Sequence, residues 1–232
     1  MIGECVKTVI GQMAKIFEGY QNIPLKAGEI IVRPGDPVDY LYFVESGVMR
    51  QYSVSEAGEE LTGYLYSPGS IFFMPWVYGL KENVYYFESL VESVVWRGPR
   101  RELGAKIMRD LALLNYMCGG AYVGLQVLMM HMESQVYGNA KRKIASVLCI
   151  LEKFYGRRQN GKVEINIPLT HQLLSTIVGV TRETISLNLA KMRREKIVDY
   201  EGRIVKIINK GKLQQIASVS LDHIDFMVSE FS

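Results

Sequence analysis

The ten residues Ile177-Val178-Gly179-Val180-Thr181-Arg182-Glu183-Thr184-Ile185-Ser186 decide the fold of the C-terminal part of this chain. Just upstream, Thr170 can cap a helix that contains Leu173 and Leu174. Gly179-Val180 then predicts a tight turn, and Thr181 predicts the cap of a second helix. Two short helices joined by a glycine-containing turn predict a helix-turn-helix.

The second helix is predicted to have one packed face and one free face. Ile185, Leu189 and Met192 recur at the spacing of one buried helical stripe. The residues predicted on the free face, at its edge or in the first turn are Arg182, Glu183, Ser186, Leu187, Ala190, Lys191 and Arg194. Ile197–Tyr200, the turn Glu201-Gly202 and Arg203–Ile208 predict a β-hairpin. The whole segment is therefore predicted to be a winged helix-turn-helix, a DNA-binding motif.

The formal net charge of +3 conceals an uneven distribution. Residues 1–137 hold 11 Lys/Arg against 15 Asp/Glu, whereas residues 138–212 hold 16 against 6. A solvated basic surface would explain the charge if it stood alone. Because the basic segment coincides with the predicted winged helix-turn-helix, it favours a polyanionic partner, double-stranded DNA.

The segment from Leu25 to Trp96 has a β pattern. Short β-branched and aromatic runs alternate with glycines about every ten residues, at Gly28, Gly35, Gly47, Gly58 and Gly69. This spacing predicts an antiparallel sandwich or barrel.

Beyond Arg100 the apolar period becomes helical. The residues at alternating spacings of three and four, which we call the seam, are Leu111, Leu114, Cys118, Ala121, Leu125, Leu128 and Met132. Such a seam predicts a dimer interface. Gly119, Gly120 and Gly124 each destabilise a helix by about 1 kcal/mol relative to alanine, and close approach of a second backbone would offset this.

A membrane span is the alternative for this helix. Leu111 to Met130 carries no charge and includes Gly120-xxx-Gly124, the spacing of packed membrane helices. Asn115 and Gln126 lie inside it, and no neighbouring segment predicts a second span. We therefore favour a soluble dimer helix without a membrane partner. An acidic N-terminus without an apolar run, and three cysteines without a CxxC pair, predict a cytoplasmic protein without a signal peptide.

The succession of β-roll, long helix and winged helix-turn-helix resembles the CRP/FNR (catabolite activator / fumarate-nitrate reduction regulator) family. The resemblance is sharpest in residues 177–186 and extends to Gly28-Glu29-Ile30-Ile31, Pro34-Gly35-Asp36 and Tyr42-Phe43-Val44 with Gly47. It implies an α+β chain with a double-stranded, cyclic-nucleotide-binding-like β-roll at 1–100, a dimerisation helix at 101–137 and a DNA-binding domain at 138–232. It further implies a bacterial homodimeric transcription regulator, not an enzyme, that reads a palindromic site and contacts RNA polymerase if it is an activator.

The resemblance also implies roles for individual residues. Gln172, Thr181 and Thr184 match positions that touch phosphate. Arg182 and Glu183 match positions that read bases, since arginine suits guanine and glutamate can accept from cytosine.

One position departs from the family pattern. Leu187 stands where the family usually has an arginine, so we expect a half-site without the guanine which that arginine reads. Alternatively, Asn188 or Lys191 takes over the contact.

The effector is predicted not to be a cyclic nucleotide. Family members that bind one carry Gly-Glu after the equivalent of Gly69 and an arginine on the next strand. Here the chain reads Gly69-Ser70-Ile71-Phe72-Phe73-Met74, with no arginine at 51–96. A buried phosphate without a charge partner is strongly disfavoured.

No cofactor or metal is predicted. Iron–sulfur sensing needs several cysteine ligands, and haem sensing or a cupin-like metal enzyme needs histidines in the roll. The three histidines are His131, His171 and His223, all beyond the roll.

The remaining candidate for effector binding is aromatic. Its predicted residues are Tyr64, Phe72, Phe73, Trp76, Tyr85 and Tyr122. They would line a pocket for a small aromatic or apolar anion, with Lys81 as counter-charge; the alternative is that they simply pack the core.

Overall fold

The computed structural model of the chain describes residues 2–72, 82–159 and 162–217. The chain divides into two compact units, Met1–Cys118 and Gly119–Ser232, and the division falls within the longest helix.

The first unit is a β-roll flanked by helices. Its helices are α1 (Ile2–Phe17), α2 (Arg100–Arg109) and the first part of α3 (Leu111–Tyr137). Its strands are β1 (Gln21–Leu25), β2 (Ile30–Val32), β3 (Tyr40–Ser46), β4 (Met49–Val54), β5 (Glu60–Tyr66), β6 (Ile71–Phe72), β7 (Tyr86–Ser89) and β8 (Ser93–Pro99). They form two antiparallel four-stranded sheets, ordered β1-β8-β3-β6 and β2-β7-β4-β5, which confirms the predicted roll.

The core of this unit contains side chains from both sheets and from helices. Leu41, Val44 and Phe87 are completely or almost completely buried, as are Met13 and Phe17 of α1. Helix α1 was not predicted from the sequence, although Ile10, Met13 and Phe17 have the three-and-four spacing of an amphipathic helix.

The segment 101–137, predicted as the dimerisation helix, contains two helices, α2 and the long helix α3, which are separated at Asp110. Asp110 has an extended backbone (φ −103°, ψ 108°) between α2 and α3. Its Oδ1 accepts hydrogen bonds from the amide nitrogens of Ala112 (2.9 Å) and Leu113 (3.2 Å). An aspartate that binds free amides in this way starts a new helix.

The second unit carries the winged helix-turn-helix. Besides the rest of α3 it contains α4 (Ala140–Tyr155), β9 (Gly156–Gln159), β10 (Lys162–Ile165), α5 (His171–Val178), α6 (Arg182–Arg194), β11 (Val198–Glu201), β12 (Ile204–Ile207) and α7 (Lys210–Ala217). The strands form one antiparallel sheet ordered β11-β12-β10-β9. The predicted wing is thus confirmed as β11 and β12.

Candidate nucleic-acid interface

The helix-turn-helix is fixed by local hydrogen bonds. Thr170 Oγ1 accepts from the amide of Leu173 (3.0 Å), and Thr181 Oγ1 accepts from the amide of Thr184 (3.2 Å). Between them Gly179 adopts the left-handed conformation (φ 72°, ψ 42°), which glycine tolerates without a Cβ penalty. Both predicted caps and the predicted turn are confirmed.

Helix α6 has the two faces that the sequence predicts. Ile185, Leu189 and Met192 are at most 1% exposed and form its packed side. Leu187 is 64% exposed on the free side. Single exposed apolar side chains are common on protein surfaces, so the exposure of Leu187 is informative only together with the charge of the same face.

The cations of the free side have no ion-pair partner in the described part of the chain. Arg182, Lys191 and Arg194 are exposed, and none forms an ion pair with any residue that the structure describes. Arg193, in contrast, binds Asp199 of β11 (Nε–Oδ1 2.7 Å). The positive charge of α6 therefore remains available on its free side.

Three predicted contact residues, and Asn188 as an alternative contact, already form hydrogen bonds within the protein. Ser186 is half-buried, and its Oγ lies 2.7 Å from Nδ1 of His171 in α5. The hydroxyl of Thr184 lies 2.9 Å from that of Thr181. Asn188 donates its side-chain amide to the carbonyl of Thr184 (2.8 Å), which ties it to the helix itself. Gln172, Thr181, Arg182 and Glu183 are exposed.

Residues that the sequence analysis did not select connect α6 to the wing. The guanidinium of Arg193 lies 4.8 Å from the ring centroid of Tyr200, and His171 meets the same ring edge-on at 5.9 Å. These contacts join α5, α6 and β11. No local spacing predicts them, because each partner lies on a different element.

The aromatic residues of the roll form a connected cluster. Tyr66 donates its hydroxyl to Gln51 Oε1 (2.7 Å), and its ring lies 4.7 Å from that of Tyr64 and 5.4 Å from that of Phe72. Phe72 also stacks on Phe87 at 5.0 Å. Tyr64, at 41% exposed, is the accessible member, while Phe72 belongs to the buried core.

Phenol hydroxyls dominate the electrostatics of this cluster. Burial raises the pKa of Tyr66, and the neighbouring Tyr64 and Tyr85 raise it further. Burial and then Tyr64 raise the pKa of Tyr116, in the first turns of α3, to about 12. The cluster therefore presents neutral phenols. It includes the predicted Tyr64, Phe72 and Tyr85; Phe73, Trp76 and Lys81 lie outside the described residues.

The seam on α3 is largely uncovered in a single chain. Leu111, Leu125, Leu128 and Met132 are 71%, 52%, 51% and 58% exposed. Cys118 and Ala121 are also exposed, and Leu114 is half-buried. Tyr122 is 63% exposed in the second unit. The helix is long and apolar enough to cross a membrane, judged by length and composition alone.

Two family models match the chain in succession. The cyclic nucleotide-binding domain covers residues 23–110, and the Crp-like helix-turn-helix domain covers residues 142–216. The fumarate and nitrate reduction regulatory protein of Vibrio cholerae is 22% identical over 91% of this chain and 83% of its own. The global nitrogen regulator of Synechococcus elongatus is 24% identical over 81% of this chain and 86% of its own.

A solved structure is also similar. A CRP/FNR-family transcriptional regulator from Thermus thermophilus is 25% identical, with a TM-score of 0.69 over 86% of this chain and 99% of that one. A β-roll followed by a Crp-like helix-turn-helix defines a class of DNA-binding transcription regulators. The chain belongs to the CRP/FNR family.

Proposed function

We propose that this regulator acts as a homodimer, with α6 of each copy in the major groove of one half of a palindromic site. The observation that carries this proposal is the free side of α6, where an exposed Leu187 lies among cations that pair with no described residue. A recognition helix presents its first turns to base edges, while capping groups and long cations hold phosphates.

The residues proposed to contact DNA fall into two groups, those that read bases and those that bind phosphates. Arg182 would bind guanine, and Glu183 would accept from cytosine N4. Gln172, Thr181, Thr184 and Lys191 would contact the phosphate backbone. The Ser186 hydroxyl already has His171 as a partner, so its contribution is to hold α6 against α5 as well as to line the groove.

Leu187 would select against guanine at its position. Its apolar side chain offers contact to a thymine methyl and no hydrogen bond to guanine. Asn188 donates its side-chain amide to the backbone of Thr184, and Lys191 is assigned to the phosphate backbone, so neither residue would replace the missing arginine.

The uncovered seam supports the homodimer. At least half of each large exposed side chain of the seam is accessible in one chain, and a two-fold partner would bury these groups against their own copies. The same exposure suits a membrane-tethered regulator, the second candidate. Cell fractionation separates them: the dimer stays in the soluble fraction, and the tethered form pellets with membranes until detergent is added.

The effector would bind at the aromatic cluster. Stacked rings and neutral phenols suit a small planar ligand with hydrogen-bond acceptors, and a cyclic nucleotide phosphate would lack an arginine partner in the sequence 51–96. We propose neither a resident cofactor nor a catalytic activity. A thermal-shift screen against small aromatic acids and neutral aromatics should give hits that Tyr64→Ala abolishes; cyclic AMP or cyclic GMP as the only hit would contradict the proposal.

The main test is selection of bound duplexes from random DNA. The proposal predicts an inverted repeat whose half-sites lack guanine at the Leu187 position. Recovery of no common sequence, or of a single unrepeated motif, would contradict it.

A further inference from the structure

Two polar side chains near the end of α3 connect it to the helix-turn-helix. The side-chain Nε2 of Gln135 donates to the carbonyl of Val178 at 2.7 Å. The same nitrogen lies 3.2 Å from Nε2 of His131, one turn earlier on α3. Val178 is the last residue of α5. The last turns of α3 are therefore hydrogen-bonded to the first helix of the DNA-binding motif.

This geometry specifies the protonation state of His131. An amide NH2 group has two hydrogens, and here one serves the Val178 carbonyl and the other points to the imidazole. The imidazole can accept only when Nε2 has a free lone pair, which requires a neutral ring with its proton on Nδ1. Burial, and then the charge of Lys143 on α4, lower the pKa of His131 and so favour this neutral form.

The surroundings of the ring contain little other charge. Lys143 is the one charged group among the described residues that acts on it. Ser134 of α3 donates to the backbone carbonyl of His131 (2.8 Å), not to the ring, and α5 contributes the carbonyl of Val178 through Gln135. Protonation of His131 would place a positive ring beside both Lys143 and the amide hydrogens of Gln135.

Gln135 lies next to the turn between α5 and α6, so a change in its hydrogen bonds would act on that turn. A Cβ at Gly179 would meet the Gln135 amide at 3.8 Å, so the glutamine lies against the turn that orients α6. Gln135 is also three residues beyond Met132, where the seam spacing would continue. Met130 and Ser134 are buried, at 7% and 2% exposed, whereas Met132 is 58% exposed. At the end of α3, one side therefore contacts the DNA-binding motif of the same chain, and the side that carries Met132 is exposed.

We propose that His131 and Gln135 form a proton-sensitive pair that sets the orientation of the helix-turn-helix on the end of α3 and thereby act as positioning residues for DNA binding. This inference rests on the proposed homodimeric DNA binding. When His131 is neutral, the pair holds the Val178 carbonyl. When His131 is protonated, Nε2 becomes a donor that faces a donor, and the amide must leave one partner. Two copies that no longer match both half-sites bind the duplex less tightly.

The lowered pKa of His131 gives the sign of the pH dependence of fold stability. A histidine with a depressed pKa in the folded protein stabilises the fold above its ordinary value of 6.5. That contribution is lost as the pH falls below 6.5 and through the lowered pKa. Protonation would also break the hydrogen-bond arrangement of Gln135 with Val178, so DNA affinity should fall on acidification, opposite to the usual effect of adding positive charge to a DNA-binding protein.

The test follows affinity for the selected palindrome from about pH 8 down to the lowest pH at which thermal unfolding shows both proteins to be folded, at constant ionic strength, because the pKa of His131 lies below the ordinary value for histidine. His131→Gln places a non-titrating carbonyl oxygen close to the position of Nε2. The wild type should lose about fivefold or more in affinity relative to His131→Gln on acidification. Because the two proteins differ only at residue 131, the comparison isolates the effect of that residue.

Two further variants complete the experiment. Gln135→Leu should bind weakly at both pH values while its unfolding temperature shows that it is folded. Glu133→Gln, an exposed change on the same helix, should behave as the wild type. Identical pH profiles for the wild type and His131→Gln, or full affinity in Gln135→Leu, would overturn the proposal.

A measurement on the unaltered protein is independent of these variants. The nitrogen-15 shifts of the His131 ring at about pH 8 should show a protonated Nδ1 and an unprotonated Nε2. A proton on Nε2 would overturn the pair. If the wild type binds no duplex specifically at any pH while the ring has the expected tautomer, the DNA-binding proposal fails instead.

Discussion

His171 and Ser186 join the two helices of the DNA-binding motif, with Nδ1 of His171 lying 2.7 Å from Oγ of Ser186. The same imidazole meets Tyr200 of β11 edge-on. One side chain on α5 therefore contacts both the recognition helix and the wing. The orientation of α6 depends on this contact as well as on its buried apolar face.

A double-mutant cycle tests the His171–Ser186 contact. Ser186→Ala and His171→Phe should each lower the free energy of unfolding by about 0.5–1.5 kcal/mol, the usual net value of one hydrogen bond. The double variant should lose little more than either single variant, because both remove the same bond. Chemical denaturation measures all three, and Gln172→Ala is the exposed control on α5. Additive losses would show that the two residues act separately.

Leu187 is proposed to select one base of the half-site. Leu187→Arg should shift the selected sequence to guanine at that position and discriminate against other bases by about 1–3 kcal/mol. Parallel selections from random DNA with the wild type and the variant measure this. Val54→Arg, which adds the same charge to an exposed position of the roll, is the control. An unchanged selected sequence in Leu187→Arg argues against the major-groove position of this residue.

Replacement of Arg182 and replacement of Lys191 should have different effects on DNA binding. Arg182→Ala should cost about 1–3 kcal/mol of binding free energy and relax specificity at one base. Lys191→Ala should weaken binding to all sequences and reduce the salt slope by about one ion. Titrations of cognate and altered duplexes at several salt concentrations separate these outcomes. Equal losses on every duplex for Arg182→Ala are incompatible with a base-reading role.

Thr181 caps the recognition helix. Thr181→Ala removes the acceptor for the Thr184 amide and should destabilise the protein by about 1 kcal/mol. Thr181→Ser keeps the hydroxyl and should retain most of the stability. Thermal unfolding followed by circular dichroism compares the two variants. A similar loss of stability in both variants would show that the methyl group of Thr181, and not its capping hydroxyl, stabilises the helix.

The seam should hold two copies together. Leu128→Glu would place a carboxylate against its dyad mate in an apolar interface and should convert the dimer to a monomer. Analytical ultracentrifugation measures the mass. Met108→Glu alters a similarly exposed apolar residue of α2 outside the seam and should leave the dimer intact. A dimeric Leu128→Glu protein would exclude this seam as the interface.

Local signals predicted much of the second unit. Ile185, Leu189 and Met192 are buried because one face of a helix follows the 3.6-residue period, and Thr181 caps α6 through a bond to a residue three positions away. An aspartate before an apolar run, as at Asp110, is also a local signal for the start of a helix. The prediction did not use this signal, because it followed the heptad spacing beyond Asp110.

Long-range contacts could not be predicted in this way. His171 and Ser186 are 15 residues apart, and Gln135 and Val178 are 43 apart. Such bonds depend on how helices pack, and no spacing along the chain encodes them. The exposure of the seam is likewise visible only once the rest of the fold is known.

The most direct test of paired recognition is the mass of the complex with a selected palindromic duplex, measured by light scattering after size-exclusion chromatography. The account predicts two chains on one duplex, and it predicts that scrambling either half-site weakens the binding of both chains. A single chain on the duplex, with an affinity that depends on salt and not on sequence, would contradict it.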